Sequence, residues 1–523
     1  FIIGFALFCG LYEYGRVMNL RPMPMHLWRQ TDCLSITLNY YKDRATFAYP
    51  VIHSQIADNG ASGHSAGEFP ILYWTVAQIW KVTGQSEMAY RLFGLLLHFT
   101  AMYLFYRMLY RLLGSDLWSI GIPLLLFTSP VLVYYNISFL TDVPAFDLTM
   151  IGWYFFVRHA QEQRKRFWAF SMACFAMGAL LKVSAGISLV AVTGIYALAT
   201  VLPSLVGELK RVFPRMVFGW VTLCLAVASV LAWYIHAEAY NDLHNGRYTF
   251  NDVWPLWKMT SLQIDKALEY GMDILVFQIF DTSVWLVIGV SLLLLFLHGR
   301  SIPRAVILLN VGLLSGAILY TVFWFNAVDQ HDYYFINPLI PILAPLITAI
   351  WWLKKDRPDL FHAPWLRWAF LFLLGYNVAY AATNITMRSN PNSYYNRQDL
   401  LPTYHCQEPV YWNEVGTQGL RDYHGLDEYM DDLGVGREDL IMSLDDGTIN
   451  ASLYFMDRPG FTRHGYDYMD PATFEKCIAL GAKYLIYTNS WWPEKEHVHR
   501  YLKKPIGQHR NALIFDVRDL SNN

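Results

Sequence analysis

Asp32 is a carboxylate on a polar stretch that directly follows the first apolar segment of the chain. The stretch begins at His26, and Arg29 stands three residues before the acid. Ionisable groups beside a membrane are costly unless they are partnered or functional, so this carboxylate is a candidate acid or base. Capping of a helix or pairing with Arg29 would explain Asp32 equally well.

Glu68 is a second acid of interest, because it stands two residues before Pro70 and is followed by Tyr73 and Trp74. Proline suits the first turn of a helix, and an acidic group suits the positive end of the helix dipole. A purely structural role therefore remains open beside a role in binding a substrate.

Three potential metal ligands, His53, Asp58 and His64, lie upstream of Glu68. Imidazole and carboxylate groups are ligands that divalent metals accept. Their spacing is irregular, so the sequence assigns no metal ligand and no certain cofactor. A divalent metal in this loop stays open.

A later polar cluster contains His331, Asp332 and Tyr334 just before an apolar segment that starts near Phe335. Tyrosines at such a position are typical of the aromatic belt at a membrane surface. The functional interpretation places these three side chains around the substrate. Both interpretations stay open.

The composition predicts the elements that hold these groups. Hydrophobic residues make up 54% of the 523 residues and charged residues 16%, which is too apolar for an ordinary soluble fold. The chain is therefore predicted to be a multi-pass membrane protein. The net charge of −2 excludes a strongly basic nucleic-acid binder.

Apolar segments predict about eleven spans, since a helix needs about 20 residues to cross the hydrocarbon core. They cover approximately residues 1–14, 89–110, 117–135, 140–158, 167–182, 184–203, 216–238, 273–297, 304–325, 335–353 and 366–386. Lys and Arg collect in alternate short loops, such as Arg158 to Arg166 and Lys354 to Arg357, which are predicted to be cytoplasmic. The loop 15–88 is then external, with interfacial helices. Because the chain starts at Phe1 without Met, we expect residues to precede it.

Residues 387–523, after the last predicted span, have the composition of a soluble domain. We predict a transmembrane module over residues 1–386 and an external α/β domain over 387–523, with strand-like runs at Leu440 to Leu444, Tyr484 to Thr488 and Leu513 to Val517. Residues 471–488 predict a helix, a cap at Gly481 and a strand. Cys406 and Cys477 could pair if the compartment is oxidising, and their pairing stays open.

Five short elements in order resemble the GT-C superfamily of integral-membrane glycosyltransferases, specifically the branch of aminoarabinose transferases and protein O-mannosyltransferases (family 39-like). They are Arg29-Gln30-Thr31-Asp32, the set Glu68, Pro70, Tyr73 and Trp74, then Ala89-Tyr90-Arg91-Leu92, Thr141-Asp142-Val143-Pro144 and Leu181-Lys182. Together they cover about the first 190 residues. Each element is weak alone, and their order and predicted sidedness give the resemblance its weight.

The resemblance implies a helical transmembrane GT-C fold and an inverting transfer of a sugar from a polyprenyl phosphate to an acceptor hydroxyl at the external face. Asp32 would be the base. The other implied site residues are Asp142 as a further catalytic group, Lys182, Arg91 and Arg29 at the donor phosphate, and Glu68, Tyr73, His331, Asp332 and Tyr334 at the substrate. For Asp142, capping of the helix before Pro144 stays open as an alternative. The implied partners are the lipid-linked sugar and a glycan, lipid or protein acceptor. The apolar composition adds membrane lipids, and membership of a larger membrane complex stays open.

The chain departs from the aminoarabinose transferases at Phe69, where those enzymes carry a lysine between the Glu and the Pro. One expected phosphate contact is thereby lost, and Lys182 or Arg29 would have to supply it. A bacterial inner membrane, with the tail in the periplasm, is the predicted location. Two alternatives are a non-catalytic GT-C-like scaffold subunit and a transporter or flippase, although the sequence shows no matching pair of broken segments.

Overall fold

The computed structural model of the chain describes residues 1–23, 25–202, 213–214, 216–246, 253–329, 331–389, 421–489 and 492–518. Two compact units form by internal contacts. The helical unit comprises Phe1–Asn19, Arg91–Trp233 and Asp252–Glu408, and the mixed unit comprises Leu20–Tyr90, Tyr234–Asn251 and Pro409–Asn523. Cys406, one half of the cysteine pair considered above, lies outside the described residues.

Helices dominate the described residues up to 389. They are α1 Ile2–Leu11, α2 Tyr14–Val17, α3 Leu27–Tyr41, α4 Ile71–Thr83, α5 Glu87–Leu113, α6 Asp116–Leu126, α7 Pro130–Tyr135, α8 Asp142–Glu162, α9 Lys165–Leu181, α10 Gly186–Val201, α11 Met216–Leu243, α12 Ser261–Tyr270, α13 Val276–Ile279, α14 Thr282–His298, α15 Arg304–Phe323, α16 Leu339–Asp356, α17 Pro358–His362 and α18 Pro364–Ser389.

Seven helices among the described residues are long and apolar enough to cross a membrane, which confirms a multi-pass protein. They are Glu87–Leu113, Val183–Val201, Val217–Leu243, Thr282–Ser301, Arg304–Phe323, Asp332–Asp356 and Pro364–Ser389. The other four predicted spans correspond to shorter, broken or more polar helices. The predicted span 117–135 is divided into α6 and α7, because Ser129 is extended ahead of Pro130, and proline disfavours a helical residue before it.

Helices α8 and α9 form an antiparallel hairpin joined at Gln163 and Arg164. A Cβ on Gly178 would lie 2.6 Å from the Thr149 hydroxyl and 3.0 Å from the Ala145 carbonyl oxygen, so only glycine permits this close approach. The hairpin returns the chain to the end from which it started. It therefore brings the first residue of α8 and the residue that follows α9 to the same end of the helical unit.

The mixed unit contains a five-stranded sheet in the order β2-β1-β3-β5-β4. Its strands are β1 Leu440–Ser443, β2 Gly460–Thr462, β3 Ala482–Tyr487, β4 Gly507–His509 and β5 Ala512–Asp516, and its helices are α19 Leu426–Asp432, α20 Ala451–Met456, α21 Pro471–Ala479 and α22 Glu496–His499. The pairs β1–β2 and β1–β3 are parallel, and the pairs β3–β5 and β4–β5 are antiparallel. The predicted order of helix, Gly481 and strand is confirmed.

The segment His53–Gln55 lies beside β2 of this sheet. Ser54 forms a parallel bridge with Gly460, whose N–H donates to the His53 carbonyl oxygen at 3.1 Å and whose carbonyl accepts from the Gln55 N–H at 2.8 Å. The early loop and the C-terminal sheet are therefore parts of one unit. Helix α3, which precedes this segment, is buried from Arg29 to Tyr40.

Candidate active site

Asp142 and Lys182 are brought together by the α8–α9 hairpin. Asp142 is the first residue of α8, and Lys182, with extended backbone, follows the last residue of α9. The Lys182 Nζ lies 3.3 Å from Asp142 Oδ1, and the carboxylate is fully buried. Burial of one charge is tolerated when an opposite charge is in contact, so the two side chains stabilise each other.

Two tyrosine rings also lie against Lys182. Its Nζ lies 4.6 Å from the ring centre of Tyr334 and 5.2 Å from that of Tyr333, within the range of a cation–π interaction. His331 packs on Tyr334, with ring centres 5.5 Å apart. The predicted residues Lys182, Asp142, His331 and Tyr334 thus form one cluster in the helical unit.

Asp332 contacts a different set of residues from His331 and Tyr333, its neighbours in the sequence. Its Oδ2 lies 2.8 Å from Arg388 Nη2, and its Oδ1 accepts a hydrogen bond of 2.6 Å from the Tyr135 hydroxyl. Arg388 also donates to Gln278 Oε1 at 2.5 Å. This network is buried and joins residues of α7, α13 and α18 to the loop before α16, so it supports the loop that carries Tyr333 and Tyr334.

Arg388 was not identified from the sequence. A lone arginine in the last turn of an apolar helix was the available signal, because such a charge requires a partner.

Arg91, which the sequence places at the donor phosphate, is buried and donates from Nε to the Ile137 carbonyl at 2.9 Å and from Nη1 to the Met18 carbonyl at 3.1 Å. Its guanidinium also stacks on Phe139.

Arg29 and Glu68 form an ion pair in the mixed unit, with side-chain exposures of 8% and 7%. The pair joins α3 to the turn before α4. Tyr73, on α4, lies beside the same helix, since its hydroxyl is 3.4 Å from Cys33 Sγ. Three residues that the sequence predicts at the substrate or phosphate are therefore neighbours around α3.

Asp32 lies on α3 and is fully buried. Its Oδ1 accepts a hydrogen bond of 2.7 Å from the side-chain amide of Asn450, which precedes α20 in the C-terminal domain. The sequence did not identify Asn450. Asp32 and Asp142 belong to different units, so the position of Asp32 relative to Asp142 and Lys182 stays a prediction.

His53 does not join the predicted metal ligands. Its Nδ1 lies 2.7 Å from the Ser35 hydroxyl, and its Nε2 lies 3.8 Å from Asp457, which also pairs with Lys42. Burial lowers the pKa of the His53 imidazole. Burial opposes ionisation of Asp457 as well, but the contacts with His53 and Lys42 outweigh it and hold the pKa of this carboxyl well below its usual range.

Asp58 and His64 meet a third residue, His244 of α11, in the mixed unit. One ligand atom from each of the three lies within 4.8 Å of the others. The Nδ1 atom of His244 lies 3.0 Å from Asp58 Oδ2, and that of His64 lies 2.5 Å from the Tyr240 hydroxyl. Two imidazoles and a carboxylate are a donor set that suits a cation such as Zn²⁺.

The chain is similar to one protein family and to solved structures of two transferases. Residues 65–233 match the family described as dolichyl-phosphate-mannose-protein mannosyltransferase. The crystal structure of ArnT from Cupriavidus metallidurans bound to undecaprenyl phosphate is similar to the chain at a TM-score of 0.57 and 12% identity, over 98% of this chain and 97% of that one. The chain has an ArnT-like fold. The apo state of that ArnT gives the same TM-score of 0.57 at 14% identity.

The chain is also similar to a solved structure of a second transferase. Arabinofuranosyltransferase AftD from Mycobacteria is similar at a TM-score of 0.53 and 12% identity, over 99% of this chain and 39% of that one. No curated protein sequence matches the chain. The resemblance to GT-C glycosyltransferases is thus confirmed by the family match and by the ArnT-like fold together.

Proposed function

We propose that this protein transfers a sugar from a polyprenyl-phosphate donor to an acceptor hydroxyl at the external face of the membrane. The observation that carries the proposal is the ArnT-like fold, which extends over 98% of the chain and is shared with a structure bound to undecaprenyl phosphate. A lipid phosphate is the chemical group that such a donor releases. The cluster around Lys182 supports the same chemistry, because it holds a cation at the end of a helix hairpin.

The reaction is a single displacement that inverts the sugar carbon. The acceptor oxygen forms the new bond to that carbon while its proton passes to the carboxylate of Asp32. The bond between the sugar carbon and the phosphate oxygen breaks, and the polyprenyl phosphate leaves with the electron pair. Lys182 stabilises the negative charge that grows on the phosphate, and Asp142 holds the lysine in place.

The remaining assignments are part of the same proposal. Arg29 and Arg91 assist at the donor phosphate. Glu68, Tyr73, His331, Asp332 and Tyr334 contact or frame the substrate. The module of about eleven spans over residues 1–386 lies in a bacterial inner membrane, and the domain over 387–523 lies in the periplasm and selects the acceptor.

The test compares the purified parent protein with Asp32→Asn, using defined polyprenyl-phosphate sugars and candidate acceptors. The variant keeps the shape of the side chain and an oxygen that can accept the hydrogen bond from Asn450, so we expect the fold to survive and transfer to be lost. General-base catalysis typically contributes about 10²–10⁴-fold, which sets the size of the loss. Asp43→Asn, which changes an exposed acid just after α3, is the matched control and is expected to leave the rate unchanged.

Each outcome has a meaning. Equal transfer by Asp32→Asn and the parent removes Asp32 from the role of base. A parent protein that binds polyprenyl-phosphate sugars but transfers none of them to any acceptor overturns the enzymatic proposal and favours the scaffold alternative. Movement of the intact donor across a vesicle membrane, without transfer, favours the flippase alternative.

A further inference from the structure

Asn450 is fully buried at the position just before α20, where the side chain of an Asn commonly caps the helix that follows. Its side chain makes no such cap. It donates instead to Asp32 Oδ1 at 2.7 Å, across 418 positions of sequence, and its own Oδ1 accepts a hydrogen bond of 3.0 Å from the Ser54 N–H. The amide is thus used to join the early loop and α3 to the C-terminal domain.

The two contacts fix which end of the amide faces the carboxylate. A backbone N–H can only donate, so the atom of Asn450 that Ser54 contacts must be the oxygen. The NH₂ group must then be the end that points at Asp32. Ser54 is itself held by its bridge to Gly460, so the orientation of the amide is set by the edge of the sheet.

We propose that Asn450 is a positioning residue for Asp32, supplied by the C-terminal domain. The inference rests on the proposed function, in which Asp32 is the base. A hydrogen bond donated to a carboxylate favours its charged form, and only the charged form can take a proton from the acceptor. The bond also restrains the carboxyl group in one orientation. The domain after residue 420 therefore contributes to catalysis as well as to recognition of the acceptor.

Charged neighbours of this part of α3 include Arg29, on the same helix, and Glu68, from the turn before α4. They pair with each other. Neither is altered in the experiment below, so a change in the titration of Asp32 would report the loss of the amide.

The experiment measures the pH profile of kcat for the parent, Asn450→Ala and Asn450→Leu. Both substitutions remove the donor, but leucine retains the volume of the side chain, so an effect common to both is not due to a cavity. Asn241→Ala is the matched control: Asn241 is also buried in the mixed unit and makes two hydrogen bonds of 2.8 Å with the backbone of Ala66, but contacts no carboxylate in the described residues.

We expect the acidic limb of the kcat profile to move upward by about one pH unit in both Asn450 variants, since a charge-assisted hydrogen bond is roughly this strong. The limb should not move in Asn241→Ala, even if that variant is less stable. An unchanged limb in a folded Asn450→Leu overturns the inference. The Asp32→Asn variant separates this result from a failure of the proposed function. If Asp32 is not the base, Asp32→Asn transfers as fast as the parent, whatever the Asn450 variants do.

Discussion

Lys182 contacts a carboxylate and two aromatic rings in the described part of the chain. Its Nζ lies 3.3 Å from one carboxylate oxygen of Asp142 and above two tyrosine rings. Aromatic rings attract a cation through their faces and offer no proton acceptor of comparable strength. An ammonium carries three N–H donors, so Lys182 could donate to a phosphate oxygen while it stays in contact with Asp142.

Replacement of Lys182 tests this role. Lys182→Met keeps the length of the side chain and removes the charge, so kcat/KM for a polyprenyl-phosphate sugar should fall by about 10²–10³, the usual cost of losing one charge-stabilising group. Lys182→Arg should retain part of the activity, because the charge is kept while its shape changes. Steady-state kinetics in detergent would measure both.

The control for Lys182 is Lys354→Met, which removes a lysine at the far end of α16 that donates to the Leu112 carbonyl. Its kcat/KM should match that of the parent. Activity of Lys182→Met within about twofold of the parent, for which the barrier change would be under about 0.5 kcal/mol, would exclude Lys182 from the transition state.

Some residues of the candidate site can be predicted from the sequence, and others cannot. Asp142 and Lys182 could be named because each stands at the end of a recognisable apolar segment. Asn450 could not, since Asp32 is 418 positions away and nothing local marks the contact. His244 was missed for the same reason, although His64 and Asp58 were identified. A lone arginine in an apolar helix signals that Arg388 needs a partner, but not that the partner is Asp332, 56 positions away.

Periodicity and capping predict most of the individual elements. The helix from Pro471, the glycine after it and the strand from Ala482 follow from local signals alone. The division of the span 117–135 does not, since a run of apolar residues hides the break at Ser129 and Pro130. The bridge between Ser54 and β2 could not be predicted either, because pairing to a sheet edge depends on the tertiary fold.

Gly460 is the first residue of β2 and holds the early loop through its bridge to Ser54, so a substitution there tests the role of this strand. A Cβ at this position would lie 2.0 Å from the Ile441 carbonyl oxygen of β1, a separation that requires the backbone to shift. Gly460→Ala should therefore destabilise the mixed unit by about 1–3 kcal/mol, as overpacking does. Thermal unfolding in detergent would measure the change.

Gly434→Ser is a useful comparison for Gly460→Ala, since a Cβ there would meet no other described residue within 4 Å beyond its chain neighbours, although its φ of 76° makes some loss of stability expected. The Gly460 variant should also lower transfer, because the bridge to Ser54 orients Asn450. If Gly460→Ala unfolds at the same temperature as the parent and transfers sugar at the same rate, Gly460 does not hold the early loop at the edge of the sheet.

The distribution of positive charge across the whole molecule predicts which side of the membrane each loop faces. Lys354 and Lys355 lie in the last turn of α16, and Pro364–Ser389 is the next apolar helix long enough to cross. Lys and Arg are retained on the cytoplasmic side. Since one crossing separates Asp356 from Ser389, the domain that follows residue 389 should be external, where an acceptor on the outer face could reach it.

Cysteine labelling tests this topology in intact cells. In a protein whose six cysteines are replaced by serine, Asp356→Cys and Met469→Cys each introduce one thiol at an exposed position, the first beside the lysines of α16 and the second in the C-terminal domain. A membrane-impermeant maleimide should label Met469→Cys at once and Asp356→Cys only after the cells are permeabilised. Equal labelling of the two thiols in permeabilised cells is the control, because it shows that both positions can react with the maleimide. Immediate labelling of Asp356→Cys, with Met469→Cys protected, would reverse the topology and place the transfer reaction on the cytoplasmic face.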